Sequence, residues 1–182
     1  MLHEMIFAGF GGQGILTMGQ IVAYGALDAG LETSWIPAYG PESRGGTSNC
    51  TMVISDQRIA NPMTSAPSAI IVMNEPSFTK FVPKLKPGGV CVANRDLITS
   101  ETGRTDIDLI WVDANQEAKA LGNLMTAGNI CLGALNARVG FIEHKFIEEG
   151  LGHVFSGKKS KLIPLNMGAY MRGVELLNGT GK

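Results

Sequence analysis

The fold of this chain is decided by the stretch Met5-Ile6-Phe7-Ala8-Gly9-Phe10-Gly11-Gly12-Gln13-Gly14. Four apolar residues followed at once by glycines predict a buried strand over residues 4–9 that ends in a tight loop. Residues 14–29 then predict a helix, and its stripe of small residues would let it lie close to a sheet. A strand, a glycine loop and a helix in this order are typical of an open α/β sheet.

The rest of the chain continues to alternate between strand and helix patterns. We expect further strands over residues 31–37, 48–54, 69–73, 90–93 and 107–112. We expect further helices over residues 75–83, 114–122, 126–138, 143–151 and 160–177. Asp56-Gln57 favours a tight turn into Arg58-Ile59, which predicts an antiparallel hairpin where a plain doubly wound protein has a helix. The chain is therefore predicted to form one three-layer α/β/α domain over residues 1–182, with a Rossmann-like mixed sheet, an inserted β-hairpin and a helical C-terminal part.

A second glycine-rich loop follows the second predicted strand and reads Tyr39-Gly40-Pro41-Glu42-Ser43-Arg44-Gly45-Gly46-Thr47. Both loops leave the carboxyl ends of strands, so they should line one edge of the sheet, where open α/β sheets bind ligands. The guanidinium of Arg44 presents a planar set of donors that suits phosphate or carboxylate groups. Alternatively, Glu42 pairs with Arg44 and only shapes the loop. The pattern indicates a site for an anionic cofactor or for another subunit.

The first loop also matches the dinucleotide fingerprint G-x-G-x-x-G at Gly9, Gly11 and Gly14. A nicotinamide site needs in addition an acidic residue at the end of the second strand, to hold the ribose. Here the nearby acid, Glu32, stands at the beginning of that strand. The missing acid argues against an autonomous NAD site, and a purely structural tight turn is the other reading of these glycines.

Composition and charge limit the function classes. The chain has 182 residues, 45% of them hydrophobic and 17% charged, with a formal net charge of -1. Such a balance is typical of a folded domain and does not favour nucleic-acid binding through phosphates. We expect no membrane span, because no apolar run approaches about 20 residues. Because the N-terminus lacks the features of a signal peptide, we expect the protein in the cytoplasm.

The three cysteines, Cys50, Cys91 and Cys131, are far apart in the sequence and form no CxxC motif. This spacing is unsuited to an iron–sulfur cluster or a zinc ribbon built by this chain alone, and it predicts buried reduced thiols. The histidines His3, His144 and His153 show no ligand spacing either. We therefore assign neither a catalytic residue nor a metal ligand to this chain.

With both loops taken together, the sequence resembles the gamma subunit of the 2-oxoacid:ferredoxin (acceptor) oxidoreductases. This family includes pyruvate, 2-oxoglutarate, 2-oxoisovalerate and indolepyruvate enzymes. The likeness rests on the two glycine loops, on Val53-Ile54-Ser55, on the helix around Asn129–Leu135 and on the terminal helix. It covers nearly the whole chain at the usual length of the separate subunit.

The resemblance implies a division of labour within a complex that oxidatively decarboxylates a 2-oxoacid to acyl-CoA. The complex is expected to use thiamine diphosphate, Mg, [4Fe-4S] clusters and coenzyme A, and to pass electrons to ferredoxin or a similar acceptor. This chain lacks the Gly-Asp-Gly…Asn signature that binds the metal of thiamine diphosphate, and it lacks cysteine sets for clusters. Those groups are expected on alpha, beta and sometimes delta subunits, which makes this chain a subunit that is inactive alone. It could form a homodimer when isolated.

The resemblance also suggests which residues contribute to the shared site. We expect the first loop to contact the active-site region of a neighbouring subunit, and Arg44 to bind near coenzyme A or to shape its entry channel. The expected cofactor-binding residues are Gly11, Gly12, Gln13, Gly14, Tyr39, Gly40, Pro41, Glu42, Arg44, Gly45, Gly46 and Thr47. Two alternatives stay open: a free-standing nucleotide-binding oxidoreductase, and a non-enzymatic Rossmann-like ligand-binding module.

Overall fold

A computed structural model describes residues 1–40 and 46–179, and within them the chain forms six strands and six α-helices. The strands are β1 (Leu2–Phe10), β2 (Glu32–Tyr39), β3 (Thr47–Ser55), β4 (Ala69–Val72), β5 (Val90–Asn94) and β6 (Asp108–Val112). The helices are α1 (Ile15–Asp28), α2 (Glu75–Phe81), α3 (Ala114–Ala120), α4 (Ala127–Val139), α5 (His144–Val154) and α6 (Ile163–Gly179). Short 3-10 helices occupy Val82–Lys84, Leu124–Thr126 and Gly157–Leu162.

The strands form one sheet in the order β2-β3-β1-β4-β5-β6. β1, β4, β5 and β6 pair in parallel, whereas β3 is antiparallel to both of its neighbours, with Phe7 opposite Cys50 and Trp35 opposite Met52. Because β3 reverses direction between them, β1 and β2 run the same way and their carboxyl ends lie at the same edge. The two glycine loops therefore leave the sheet on one side, as the sequence predicts.

The antiparallel hairpin exists, but its position in the sequence prediction is wrong. β2 and β3 form it around residues 40–46, and residues 58–59 are not in a strand. The segment after β3 contains Pro62 and Pro67, and proline has no N–H to donate to a strand ladder. Eight consecutive pairs between β2 and β3, from Glu32–Ser55 to Tyr39–Ser48, stabilise the observed pairing instead.

Alternation along the strands builds a core on each face of the sheet. Met5 and Phe7 point to the side covered by α1 and α4, while Ile6 and Ala8 point to the side covered by α2. The α/β sheet with helices on both faces is the predicted fold class, which is confirmed.

The C-terminal helices add a further layer on the side of the sheet that α1 and α4 cover. α5 packs on α1 and α6 packs on α4, so α4 is buried between the sheet and α6. The two helix pairs cross at glycines: a Cβ on Gly25 or Gly150 would run into the backbone of the facing helix, as would one on Gly133 or Gly173. These close crossings fix the position of α1, whose first turn forms a wall of the site described next.

Candidate functional site

A cleft of about 570 Å³ opens at the carboxyl edge of the sheet between the two glycine loops. Its walls come from the end of β1, the first turn of α1, the end of β2, the start of β3, and one residue before α4. The lining residues are Phe10, Gly11, Gly12, Gly14, Ile15, Leu16, Thr17, Tyr39, Gly40, Gly46, Thr47, Ser48 and Met125.

A backbone hydrogen bond joins the two loops directly. The N–H of Gly11 donates to the carbonyl oxygen of Gly46 at 2.9 Å, and the N–H of Gly40 donates to the carbonyl oxygen of Thr47 at 2.7 Å. The loops therefore form one continuous rim of backbone rather than two separate sites.

Two glycines in the first loop have a left-handed backbone that other residues adopt only with strain. Gly12 has φ 95° and Gly14 has φ 76°. A Cβ on Gly12 would meet nothing within 4 Å, so this residue presents bare backbone to open space. Glycine suits these two positions because the turn takes a left-handed backbone, and because the missing side chain lets another group come close to the backbone.

Gln13 serves the loop rather than the cleft. Its Oε1 accepts from the N–H of Phe10 at 2.7 Å and from Nδ2 of Asn74 at 3.5 Å, and its Nε2 donates to the carbonyl oxygen of Met73 at 3.3 Å. The side chain thus ties the end of β1 to the end of β4. Gln13 contributes to the site by fixing the loop shape, and its side chain is occupied by the protein.

The N-terminus of α1 gives the cleft its electrostatic character. The first intrahelical bond runs from the N–H of Met18 to the carbonyl of Gly14 at 2.9 Å, which leaves the amides of Ile15, Leu16 and Thr17 without a partner in the helix. Among the described residues no side chain caps this helix, and its first turn contains no acidic residue. Free amides and the positive end of the helix dipole make this part of the cleft suitable for an anion.

The structure brings most of the predicted site residues together. Seven of them line the cleft: Gly11, Gly12, Gly14, Tyr39, Gly40, Gly46 and Thr47. The predicted residues Pro41, Glu42, Arg44 and Gly45 lie outside the described residues. Trp35, on the strand before the loop, packs against the core, whereas the Tyr39 side chain is 72% exposed at the rim.

The sequence analysis missed Met125. It lies in the short helix Leu124–Thr126 between α3 and α4, is 62% exposed, and lines the cleft together with Tyr39. The signal in the sequence is weak: an apolar pair, Leu124-Met125, directly after the turn residues Gly122-Asn123. Tyr39 and Met125 are thus two large, exposed side chains that line the same cleft.

The cysteines are buried, as predicted from their spacing. Cys50, Cys91 and Cys131 are free thiols inside the core, and desolvation raises the pKa of Cys50 and of Cys131 to about 12. A thiol with so high a pKa is a poor nucleophile and a poor metal ligand. Across residues 1–40 and 46–179 the structure contains no group of three or more His, Cys, Asp or Glu side chains that could hold a metal ion.

Besides the missing acid, the strand order argues against a dinucleotide site at the first loop. In a dinucleotide-binding sheet the second strand lies beside the first, so that its terminal acid reaches the ribose. Here β3 lies between β1 and β2, and Glu32 is at the start of β2, at the opposite edge of the sheet. The glycine loop therefore has an anion-binding end but not the nicotinamide geometry.

Residues 4–176 match the family model for pyruvate ferredoxin/flavodoxin oxidoreductase. The chain belongs to this family. It is 31% identical over 180 residues to the 2-oxoglutarate synthase subunit KorC of Methanocaldococcus jannaschii, a match that covers 97% of this chain and 94% of KorC. The predicted resemblance to gamma subunits is confirmed.

Two further comparisons cover most of this chain. It is 36% identical over 170 residues to the ketoisovalerate oxidoreductase subunit VorA of Methanothermobacter thermautotrophicus, covering 92% of this chain and 35% of VorA. The chain thus spans about a third of the length of that relative. The crystal structure of a keto/oxoacid ferredoxin oxidoreductase gamma subunit from Geobacter sulfurreducens superposes with a TM-score of 0.82 at 26% identity, covering 97% of this chain and 99% of the other.

None of the helices within the described residues has the length and apolarity that a membrane crossing requires.

Proposed function

We propose that this chain is the gamma-type subunit of a 2-oxoacid:ferredoxin (acceptor) oxidoreductase, inactive alone, and that its glycine-loop cleft completes the coenzyme A region of the assembled enzyme. The observation that carries the proposal is the uncapped first turn of α1 opening into a cleft of about 570 Å³ between loops joined by the Gly11–Gly46 hydrogen bond. The amides of that turn suit the phosphate groups of coenzyme A.

The described lining of the cleft suits binding. Among its described residues there is no histidine, cysteine, lysine, arginine or acidic side chain, and backbone, hydroxyl and apolar groups line the space. Such a surface can position an anionic substrate and exclude water. We therefore place the decarboxylation and the electron transfer on other subunits.

The cysteines of this chain do not suit an iron–sulfur cluster, because each is buried with a raised pKa and they lie on different strands and helices. We assign the [4Fe-4S] clusters, thiamine diphosphate and Mg to the alpha, beta and possibly delta subunits. There, thiamine diphosphate would supply the decarboxylation chemistry, and the clusters would pass electrons to ferredoxin or a similar acceptor. Residues 1–182 would act as one domain of a cytoplasmic complex.

The apolar rim of the cleft supports the docking part of the proposal. Tyr39 and Met125 are both exposed and both line the cleft, and exposed large apolar groups around a cavity are typical of interaction sites. A partner subunit that closes over these side chains would shield the α1 amides from water and so strengthen their hold on an anion.

The decisive experiment is to co-express the chain with the genes that neighbour its own and to purify the complex through a tag on this chain. The complex is assayed for coenzyme-A-dependent oxidation of several 2-oxoacids with a viologen acceptor. We expect a brown complex whose activity requires thiamine diphosphate and falls when this chain is omitted. An equally active complex without this chain, or no partner at all, would refute the proposal.

Two variants locate the role of the cleft within that complex. Arg44→Ala tests the sequence-based role of the second loop, where loss of a charge-assisted hydrogen bond of about 1.5–3 kcal/mol should raise the KM for coenzyme A at least tenfold.

Met125→Ala tests the rim, with Met63→Ala as the matched control, because both methionines are exposed (62% and 57%) and Met63 lies outside the cleft. If Met63→Ala impairs assembly or activity as much as Met125→Ala does, the cleft has no special role.

A further inference from the structure

The last strand of the sheet, β6, has one edge that pairs with no described strand. β6 pairs in parallel with β5, and the sheet ends there. The N–H of Asp108 donates to the carbonyl oxygen of Gly89, just before β5, at 2.9 Å, so alternate residues of β6 from Asp108 onwards face β5. The backbone groups of Leu109 and Trp111 therefore point away from the sheet, and no hydrogen bond joins them to a described residue.

Apolar side chains flank this open edge on both faces of the sheet. Leu109 and Trp111 lie on the α2 face and Ile110 on the α4 face, and all three are half-buried. Trp111 lines a cavity of about 510 Å³ on the first face and one of about 170 Å³ on the second. Edge strands are usually protected by charge, proline or a covering segment. β2, at the other edge, contains Pro37, whereas β6 contains no proline and its one charged residue, Asp108, is at its first position.

The strand is complementary to a second copy of itself in antiparallel orientation. Antiparallel strands exchange hydrogen bonds between residues whose backbone groups face each other. With Leu109 opposite the partner's Trp111, and Trp111 opposite the partner's Leu109, each outward N–H of one strand meets a carbonyl oxygen of the other. Ile110 then lies opposite the partner's Ile110, so apolar side chains meet on both faces. The arrangement has a two-fold axis and closes after two copies.

The charges at the two ends of β6 favour the same orientation. At the first end, Arg138 of α4 pairs with Asp108, and the Arg138 side chain is 56% exposed. At the other end Asp113 is exposed, and no described side chain pairs with it. Antiparallel pairing brings unlike ends together, so Arg138 would lie beside the partner's Asp113, and this contact would occur twice. The net charge of -1 on each chain opposes association only weakly.

We infer that β6 is a self-association surface, at which two copies of this chain pair edge to edge in antiparallel orientation and join their sheets into one. The occupant is a second copy because the backbone register and the charges at the ends of the strand are both self-complementary. The interface contains one short strand from each copy, so we expect a dissociation constant in the micromolar range. The inference goes beyond the proposed function, because no residue of β6 lines the glycine-loop cleft.

The test uses the full isolated chain, labelled with ¹⁵N, over a wide range of concentration. Analytical ultracentrifugation should show a monomer that becomes a dimer as the concentration rises. Amide exchange followed by NMR should show Leu109 and Trp111 protected only in the dimer, whereas Ile110, which faces β5, is protected throughout. A chain that stays monomeric, or a dimer in which Leu109 and Trp111 exchange freely, would overturn the inference. Protection that appears only in the co-expressed complex would assign the edge to a partner subunit and would overturn it too.

A charge exchange tests the antiparallel geometry. Asp113→Arg should raise the dissociation constant about tenfold, because it replaces attraction by repulsion at both symmetric positions. Adding Arg138→Asp should restore association, since the two charges are then exchanged. Glu148→Arg is the matched control: it makes the same change of charge at an exposed residue of α5, which packs on α1, and should leave association unchanged.

Equal weakening by Asp113→Arg and Glu148→Arg, or a double variant that stays monomeric, would contradict the proposed pairing. All three residues are exposed, so these variants should fold. Because every readout comes from the isolated chain, a failed 2-oxoacid assay of the complex would refute the proposed function and leave the β6 dimer standing. A monomeric chain in an active complex would do the reverse.

Discussion

Gly173→Ala tests whether the α4–α6 crossing depends on the absence of a side chain. A Cβ at Gly173 would lie 2.8 Å from the carbonyl carbon of Ile130 and 2.9 Å from the nitrogen of Ala134, and closer still to the Ile130 oxygen. These are backbone atoms of α4, which cannot rotate away, so the two helices must separate. Overpacking of this kind costs about 1–3 kcal/mol, whereas alanine in place of glycine gains about 0.5–1 kcal/mol of helix propensity. We expect a net loss of about 1 kcal/mol from the free energy of unfolding.

The assay is urea unfolding of the isolated chain followed by circular dichroism, with Gly168→Ala as the matched control. Gly168 lies in the same helix, is exposed, and a Cβ there would meet nothing within 4 Å. Gly168→Ala should therefore raise the free energy of unfolding by about 0.5–1 kcal/mol. In a chain of this size the loss at Gly173 corresponds to a fall in Tm of about 2–4 °C. Equal stability of Gly173→Ala and the wild type, or equal losses in both variants, would refute the close-crossing argument.

Three more outcomes follow from particular residues. Glu75 accepts hydrogen bonds from Ser100 and Thr99, and these bonds hold the pKa of its carboxyl below the ordinary 4.5. The stability that this carboxylate contributes is complete above pH 4.5 and is lost as the pH falls through the lower folded-state pKa. Glu75→Gln should therefore make the midpoint of urea unfolding depend less on pH in the acid range. Asn136→Ala should lower the free energy of unfolding by about 1–3 kcal/mol in the same urea assay. It removes the amide that donates to the Tyr170 hydroxyl and that bonds both the N–H and the carbonyl of Ile142, while His144 keeps its contact with the hydroxyl. An intact midpoint would show the network to be dispensable. Gly12→Ala should lower the free energy of unfolding by about 1–2 kcal/mol, because alanine is strained in the left-handed backbone at this position and the added methyl meets no neighbour. Thermal unfolding measures this loss. A larger loss would mean that the loop has a packing role.

The parts of the fold that local pattern controls were predictable. The apolar run before the first glycine loop, the helix after it and the central strand at Ala69–Val72 carry strong short-range signals, and all three elements are present. The hairpin was misplaced because Asp56-Gln57 has good turn chemistry, and turn chemistry does not say which strands pair. Pairing was decided over a longer range, by the match between eight residues of β2 and eight of β3.

The same limit applies to the candidate site. The glycine loops could be predicted from the sequence because glycine takes backbone conformations that other residues adopt only with strain. Met125 could not, because an exposed methionine becomes part of a site only through the residues that the tertiary fold places beside it. The hydrogen bonds of the Gln13 side chain to Phe10, Met73 and Asn74 could not be predicted either, because they join residues from distant parts of the chain, and its role in cofactor binding stays a prediction.

The position of β3 explains why a dinucleotide-like loop can belong to a subunit rather than to an independent enzyme. Because β3 pairs with β1, the carboxyl end of β2 does not lie beside β1, where an acidic residue would hold a ribose. The cleft lies between the two glycine loops at this edge of the sheet. The uncapped amides of α1 are retained and suit an anion, and the described lining of the cleft contains no histidine, cysteine, lysine, arginine or acidic side chain. Under the proposed function, another protein surface brings the reactive groups to this cleft. The exposed side chains of Tyr39 and Met125 are where that surface would rest.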